Sequence, residues 1–344
     1  MPDKPSIAVL PFTNMSGDRD QEYFSDGITD DLITSLSRLP DLFVIARTSS
    51  FTYKGKAAKV QDIGHELGVA YVLEGSVRKS GDSVRITAQL VDAATGDHLW
   101  AEHYDRPLKD IFSLQDEIVR KIVTTLKLQL PALLQWRFVI GQHTDSPEAY
   151  DDYLRGGAYV ATFSAEGVLK AKQMYEKAIE LDPKYADAYS WLGYAYFWGW
   201  YSQYSGDNPE ILDRAIGLEQ KAIALDEAHA YGAHAFLCRF YPFKRQYDQA
   251  VTECQRALEI APSYVLAYFW LAEASVRSGK PKEAIGFVEK AERLDPRNRV
   301  AWEGGRGVAC VIMGRYADTI PIPCCALQPL SRTGRGGRAS FARR

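Results

Sequence analysis

Apolar residues along the first part of the chain fall into short runs and alternations, and further on into long helical stripes. Ser6-Ile-Ala-Val-Leu-Pro-Phe12 is a continuous apolar run of strand length stopped by proline, the pattern of a strand covered on both faces. Ile28, Leu32, Ile33, Leu36 and Leu39 recur at helical spacing, with Ser25 or Asp26 placed to cap that helix and Pro40 to stop it. Phe43-Val-Ile-Ala46 predicts a second strand, and Val60, Ile63, Leu67 and Val69 a shorter helix closed near Gly68. Ala70-Tyr-Val-Leu73 begins a third strand. Ser80-Gly81-Asp82 predicts a hairpin turn, after which Val84, Ile86, Ala88 and Leu90 alternate with Arg85, Thr87 and Gln89. One buried and one wet face is antiparallel geometry. A last strand is expected over His98–Tyr104. An amphipathic helix carried by Ile111, Leu114, Ile118, Ile122, Leu126 and Leu130, with Ser113 as its cap, closes a small mixed-sheet α/β unit.

The second half repeats itself. Ala171, Ala215, Ala250 and Ala284 are each followed seven residues later by another alanine, at 178, 222, 257 and 291, and each set ends five residues on, at Pro183, Glu227, Pro262 and Pro296. Ala149-Tyr150, Ala188-Tyr189, Ala233-His234, Ala267-Tyr268 and Ala301-Trp302 stand ahead of or after them, and the step from 234 to 268 to 302 is 34 each time. That is the period of tetratricopeptide (TPR) repeats. Small alanines let two helices of a hairpin approach closely, the aromatic fills the gap, and proline ends the second helix. The expected fold class is therefore a mixed-sheet α/β domain followed by an all-α TPR solenoid.

Five strings in the first half, Ala8-Val-Leu-Pro-Phe12, Tyr23-Phe-Ser-Asp-Gly-Ile-Thr29, Leu73-Glu-Gly-Ser-Val77, Arg85-Ile-Thr-Ala-Gln-Leu90 and Gly96-Asp-His-Leu-Trp100, resemble the TolB-like amino-terminal domain. The resemblance runs in order across roughly residues 5–130. It implies a signalling architecture, because in bacteria this domain is joined to TPR repeats, often behind a class III cyclase, a winged-helix or a protein kinase domain. It supplies no catalytic residue. The expected organisation is a TolB-like domain over 5–130, a connector over 131–147, about four and a half repeats over 148–320 and an irregular tail over 321–344.

Two departures from the period matter. Ten extra residues between Tyr189 and Ala215 include Ser205-Gly-Asp-Asn-Pro209, and they follow seven aromatics within residues 194–204. These read either as packing of a lengthened helix or, in part, as a binding surface, since Trp and Tyr anchor interfaces. By analogy with peptide-binding TPR proteins, Ser190, Tyr194, Ala235, Arg239, Phe269 and Glu273 line the groove, with Phe197, Trp198 and Arg277 further along. Only Arg239 and Arg277 are cationic there, so an apolar or aromatic-anchored peptide or helix is the expected ligand rather than an acidic tail. The fifth repeat fails: Asp318 and Cys325 stand where alanines are due, and Pro321 and Pro323 lie between them. A divergent or out-of-frame end, a basic arm and a plain solvated tail remain open for 321–344. An array without its polar capping helix exposes apolar surface near Val308, Val311 and Ile312, so self-association is expected.

Charge and motif content narrow the function. The net charge of −3 resolves into 20 acids and 16 bases over 1–146, 24 and 20 over 147–331, and five arginines beyond. Neither half is built for nucleic acid. No run reaches the roughly 18 apolar residues of a membrane span, and no secretory signal is evident, so a cytoplasmic location is expected. Five cysteines, at 238, 254, 310, 324 and 325, form an odd set without CxxC that reads as reduced thiols. Nucleotide, zinc-protease and hydrolase motifs are absent, and no cofactor or metal is expected. The acids at 18, 20, 22, 26, 30 and 31 miss the EF-hand pattern and read as solvated loop and helix-start carboxylates. His65-Glu66, and His98 with His103, have nothing converging on them in sequence. The expected function is a non-catalytic adaptor binding protein partners; the alternative is the regulatory portion of an adenylate or guanylate cyclase-type protein whose catalytic domain lies outside this chain.

Overall fold

The computed structural model describes residues 4–128, 144–204, 208 and 210–298. The expectations for Leu130, for 131–143 of the connector, for the turn residues 205–207 and 209, for the fifth repeat and for the tail lie outside the described residues. The chain folds as a mixed-sheet α/β domain followed by an all-α array of helical hairpins.

In the sheet, β1 (Ser6–Val9) lies between β3 (Phe43–Val44) and β4 (Tyr71–Ser80), parallel to both. The short β2 (Thr13–Asn14) also pairs in parallel with β4, and β5 (Ser83–Asp92) and β6 (His98–Pro107) continue antiparallel. The order is β3-β1-β4-β5-β6. All of β1 is buried because Ile7 and Val9 face one core and Ala8 the other. On the first face, α1 (Glu22–Ser37) and α4 (Ile111–Thr125) lay Ile28, Leu32, Ile118 and Ile122 on Val9, Leu73 and Ile86. A short helix α2 (Arg47–Ser50) follows β3, and α3 (Val60–Leu67) packs Ile63 and Leu67 against Ala8, Ile45 and Val72 on the opposite face. Gly68 closes α3 at φ +67, a left-handed conformation that glycine adopts at little cost.

Both predicted caps in this domain are corrected. α1 starts at Glu22, so Ser25 and Asp26 lie inside it, and Asp18 instead caps a 3-10 turn over Arg19–Gln21 by accepting from Asp20 N–H at 2.9 Å. α4 starts at Ile111, two residues ahead of Ser113, and no side chain caps it.

Among the described residues the array consists of hairpins α5 (Pro147–Val160) with α6 (Ala165–Leu181), α7 (Ala186–Tyr201) with α8 (Glu210–Leu225), α9 (Tyr231–Phe240) with α10 (Tyr247–Ile260), and α11 (Val265–Arg277) with α12 (Pro281–Leu294). Ser146 and Ser164 cap α5 and α6 through their hydroxyls, and Pro147 and Pro281 occupy first-turn positions where a missing N–H costs nothing. The eight periodic alanines of the second helices are at most 2% exposed. Four residues after the first of each pair stand Tyr175, Glu219, Cys254 and Val288, all fully buried. Each is matched by a small or bonded partner on the first helix. A Cβ on Gly156 would come 2.5 Å from the Tyr175 ring, and one on Gly193 equally close to Glu219 Oε1. Ala272 shares a core with Val288. In the third hairpin Cys238 and Cys254 form a disulfide with Cα atoms 5.3 Å apart, which corrects the expectation of reduced thiols for these two. Sequence spacing gave no hint of it, because the pair is 16 residues apart and meets only through the hairpin.

Candidate functional site

The α/β domain docks along the starting turns of the array's first helices. Tyr150 and Leu154 of α5 are part of the same core as α1 and α4. The Tyr150 hydroxyl donates to the Asp31 carboxylate, and Gln115 Nε2 donates to both, at 3.2 Å to Tyr150 and 3.0 Å to Asp31. Beside them Asp151 accepts from Tyr23 Oη and Lys79 Nζ at 2.6 Å each and from Arg155 Nε at 2.7 Å. Burial works against the Asp151 carboxylate, but the bonds from Lys79, Tyr23 and Arg155 outweigh it and hold the group below the usual carboxylate range. Burial pushes the Tyr150 hydroxyl well up, and the neighbouring Asp31 charge pushes it further, so it stays a donor.

The contact continues to the fourth hairpin, the last among the described residues. Tyr231, at the start of α9, donates to Thr34 Oγ1 at 3.4 Å under the Arg38 guanidinium, which stands 5.5 Å from its ring. Ser263, just before α11, donates its N–H to Ser37 O at 3.2 Å. Ala46 N–H donates to Leu294 O at 2.8 Å, Ser49 Oγ donates to Asp295 Oδ1 at 2.6 Å, and Arg297 N–H donates to Ser49 Oγ at 2.9 Å. The first, third and fourth hairpins are thereby bonded to one side of the α/β domain. The acids expected to be solvated are largely engaged: Glu22 and Asp26 pair with Lys54 at 2.9 and 2.6 Å, and Asp30 with Arg47 at 3.5 Å. Among the described residues no group of His, Cys, Asp or Glu is arranged to hold a metal ion.

The groove candidates lie further along the same helices. Arg239 stands eight residues after Tyr231, about 12 Å along a helix rising 1.5 Å per residue. Its Nη1 donates to Glu273 Oε2 at 2.7 Å, and Arg277 Nη2 donates to Glu273 Oε1 at 2.9 Å, so a carboxylate is held between two guanidiniums that are 17% and 20% exposed. The Arg239 guanidinium also lies 5.3 to 5.9 Å from the rings of Phe197, Tyr201 and Phe243. Tyr194 stacks on Phe236 at 4.7 Å and Trp198 meets Phe163 edge-on at 5.2 Å, both half-buried. Phe269 is half-buried between two cores.

Three of the nine residues are displaced from the predicted groove. Phe197 is 1% exposed and stacks on Phe240 at 4.3 Å. Ala235 is fully buried, and Ser190 is buried with its hydroxyl donating to Glu219 at 2.6 Å. The long aromatic run of α7 thus divides: Phe197, and in part Trp191, Tyr194, Tyr196 and Trp200, pack inward, whereas Tyr201 and Tyr204 are 41% and 46% exposed. The docked edge was missed in sequence, since Asp31, Tyr150 and Asp151 look like ordinary surface or repeat positions until the two halves meet.

Residues 3–122 match the family model described as HilA/YgeH-like transcriptional regulator, second domain. Residues 170–197 match a TPR repeat model and 244–303 a tetratricopeptide repeat model, so the array carries tetratricopeptide repeats. The chain is 46% identical over 250 residues to a protein of Rhizobium meliloti (strain 1021) named "Putative adenylate cyclase 3"; that stretch is 73% of this chain but only 42% of the relative. Among solved structures it is similar to a crystal structure of MamA protein, at TM-score 0.37 and 20% identity over 55% of this chain and 92% of that one. TolB from Acinetobacter baumannii matches at TM-score 0.28 and 19% identity over 36% of this chain and 28% of that one. No helix among the described residues is long and apolar enough to cross a membrane.

Proposed function

We propose that the chain is a non-catalytic signalling module that binds a peptide or helix of a protein partner through its TPR array. The carrying observation is the division of the array: the starts of α5 and α9 and the residue just before α11 are taken by the α/β domain, while the Arg239–Glu273–Arg277 cluster and the neighbouring Tyr194, Trp198 and Phe269 keep exposed surface about one to three turns further along their helices. Aromatics and arginines are the side chains that concentrate binding energy at interfaces. The first half is read as a TolB-like domain, and its role here is to hold the array by its edge, with the organisation over 5–130 and 148–320 taken from the sequence. The test is a peptide-display screen on the full chain. A selected peptide should lose at least tenfold in affinity with Arg239→Ala plus Arg277→Ala while the circular dichroism spectrum is unchanged; equal binding by the double variant removes the groove.

A second reading rests on the R. meliloti relative. The chain spans less than half of that protein, and we infer that it corresponds to a regulatory portion of a cyclase-type protein, without the catalytic part. The purified chain should then form no cyclic nucleotide from ATP or GTP, and joining it to a cyclase domain should change that domain's rate. A rate unaffected by the joined chain argues against this reading.

A further inference from the structure

We propose that a crevice between the α/β domain and the end of the fourth hairpin binds a small zwitterion of the amino-acid class. The crevice has a volume of about 710 Å³, within the roughly 300–1,000 Å³ of small-molecule sites. Its lining mixes apolar groups, Ile63, the ring of Tyr53 and the exposed Ala57 and Ala58, with polar ones that include Thr52 and His65. One wall is Arg297, from the residues that follow α12. Its guanidinium stands 5.5 Å from the Tyr53 ring, donates to Tyr53 Oη at 2.9 Å and pairs with Glu66. Because its backbone N–H is also fixed on Ser49, this wall is pre-formed.

Internal pairing decides which charges remain for a ligand. Glu66 is satisfied by Arg297 and by the Tyr53 hydroxyl. Lys56, from the loop before α3, and Asp62, in the first turn of α3, have no ion-pair partner among the described residues, and both line the crevice. A free carboxylate alone would meet Lys56 but also the Asp62 charge; an amine alone would meet Asp62 but also the Lys56 charge. A molecule carrying both groups answers both charges, with its side chain on Ile63 and Tyr53. Since one wall comes from the α/β domain and the other from the array, such a ligand binds only when the two are docked, and by linkage it stabilises the docked state.

The test is isothermal titration of the full chain with the common L-amino acids, together with the N-acetyl and amide forms of the tightest binder. Saturable binding is expected for at least one free amino acid. Blocking either end should weaken it at least tenfold, and so should Lys56→Glu or Asp62→Lys, both at exposed positions where the fold tolerates a charge change. Hydrogen exchange should slow at residues 52–66 and 294–298 on binding. No binding by any free amino acid at millimolar concentration overturns the proposal. Equal binding of a blocked form shows a plain ion site and also overturns it, as does binding that ignores both charge reversals.

Discussion

Replacing Tyr150 by phenylalanine tests the docking of the two halves with little change in shape. The ring is 1% exposed and lies against Phe112 and Phe24, with centroids 4.8 and 6.3 Å away, contacts that phenylalanine keeps. What is lost is the hydroxyl that donates to Asp31 and accepts from Gln115. A hydrogen bond to a charged group is worth about 1.5–3 kcal/mol, and Asp31 retains Gln115, so a loss of about 1–2 kcal/mol is expected. Tyr150→Ala, which also empties the ring's site, should cost about 3–5 kcal/mol. The assay is urea unfolding followed by circular dichroism and by tryptophan fluorescence, for Tyr150→Phe, Asp31→Ala and the pair. If the groups touch across the interface, the double-mutant cycle gives a coupling of at least about 0.5 kcal/mol. Additive single effects would refute the contact on which the docked arrangement rests. Coincident transitions by the two probes should accompany the wild type, since one core spans both halves.

Three further outcomes follow from other buried groups. Burial holds the Glu219 carboxyl well above its ordinary 4.5, against a smaller opposing effect of the Ser190 hydroxyl. Its contribution is therefore fully present below that value and is lost as pH rises toward the folded-state pKa, so Glu219→Gln should flatten the fall in stability on the alkaline side; an unchanged slope in pH-dependent unfolding counts against it. Asp151 is shifted the other way, so its contribution is present above the ordinary 3.8 and disappears as pH falls through the lower folded-state value. Asp151→Asn should be less stable at neutral pH and lose less on acidification, and an acid-unfolding profile parallel to the wild type would contradict this. Reducing the Cys238–Cys254 disulfide removes a cross-link spanning 16 residues, a change of about 3 kcal/mol in the chain-entropy picture. Dithiothreitol should lower the melting temperature, and thiol titration of the unreduced protein showing both cysteines free would dispose of the cross-link.

Elements whose identity rests on local pattern were readable in the sequence. The alternation at Val84, Ile86, Ala88 and Leu90 emerges as the buried face of β5, and the proline-stopped run at Ile7 as a strand between two cores. The alanine pairs emerge as the tight contacts of the hairpins. Helix starts were less legible, because Ser25 and Ser113 have the chemistry of caps but the helices begin a turn or half a turn earlier, where 3-10 segments lead into them. Of the groove residues, Arg239, Glu273 and Arg277 form an ion-pair cluster that the sequence reading did not single out, whereas Ser190, Phe197 and Ala235 are turned inward by the neighbouring helices. A one-helix spacing rule has no term for how far a lengthened α7 rotates its aromatics into the adjacent hairpin.

The least legible feature is the pairing inside the hairpins, and it explains why one position can hold tyrosine, glutamate, cysteine or valine. At the site four residues after each first alanine, what is kept is the fit of two side chains, not the identity of either. Tyr175 and Glu219 are large and face Gly156 and Gly193; Val288 is intermediate and shares its core with Ala272; Cys254 is small and is bonded to Cys238. Close packing makes each pair interdependent, because an added methyl group in a filled site costs as surely as a deleted one. Gly193→Ala should then destabilise chiefly through Glu219, and the same change should cost less in a Glu219→Ala background. That compensation distinguishes a volume constraint from a backbone requirement for glycine, which would penalise both backgrounds equally.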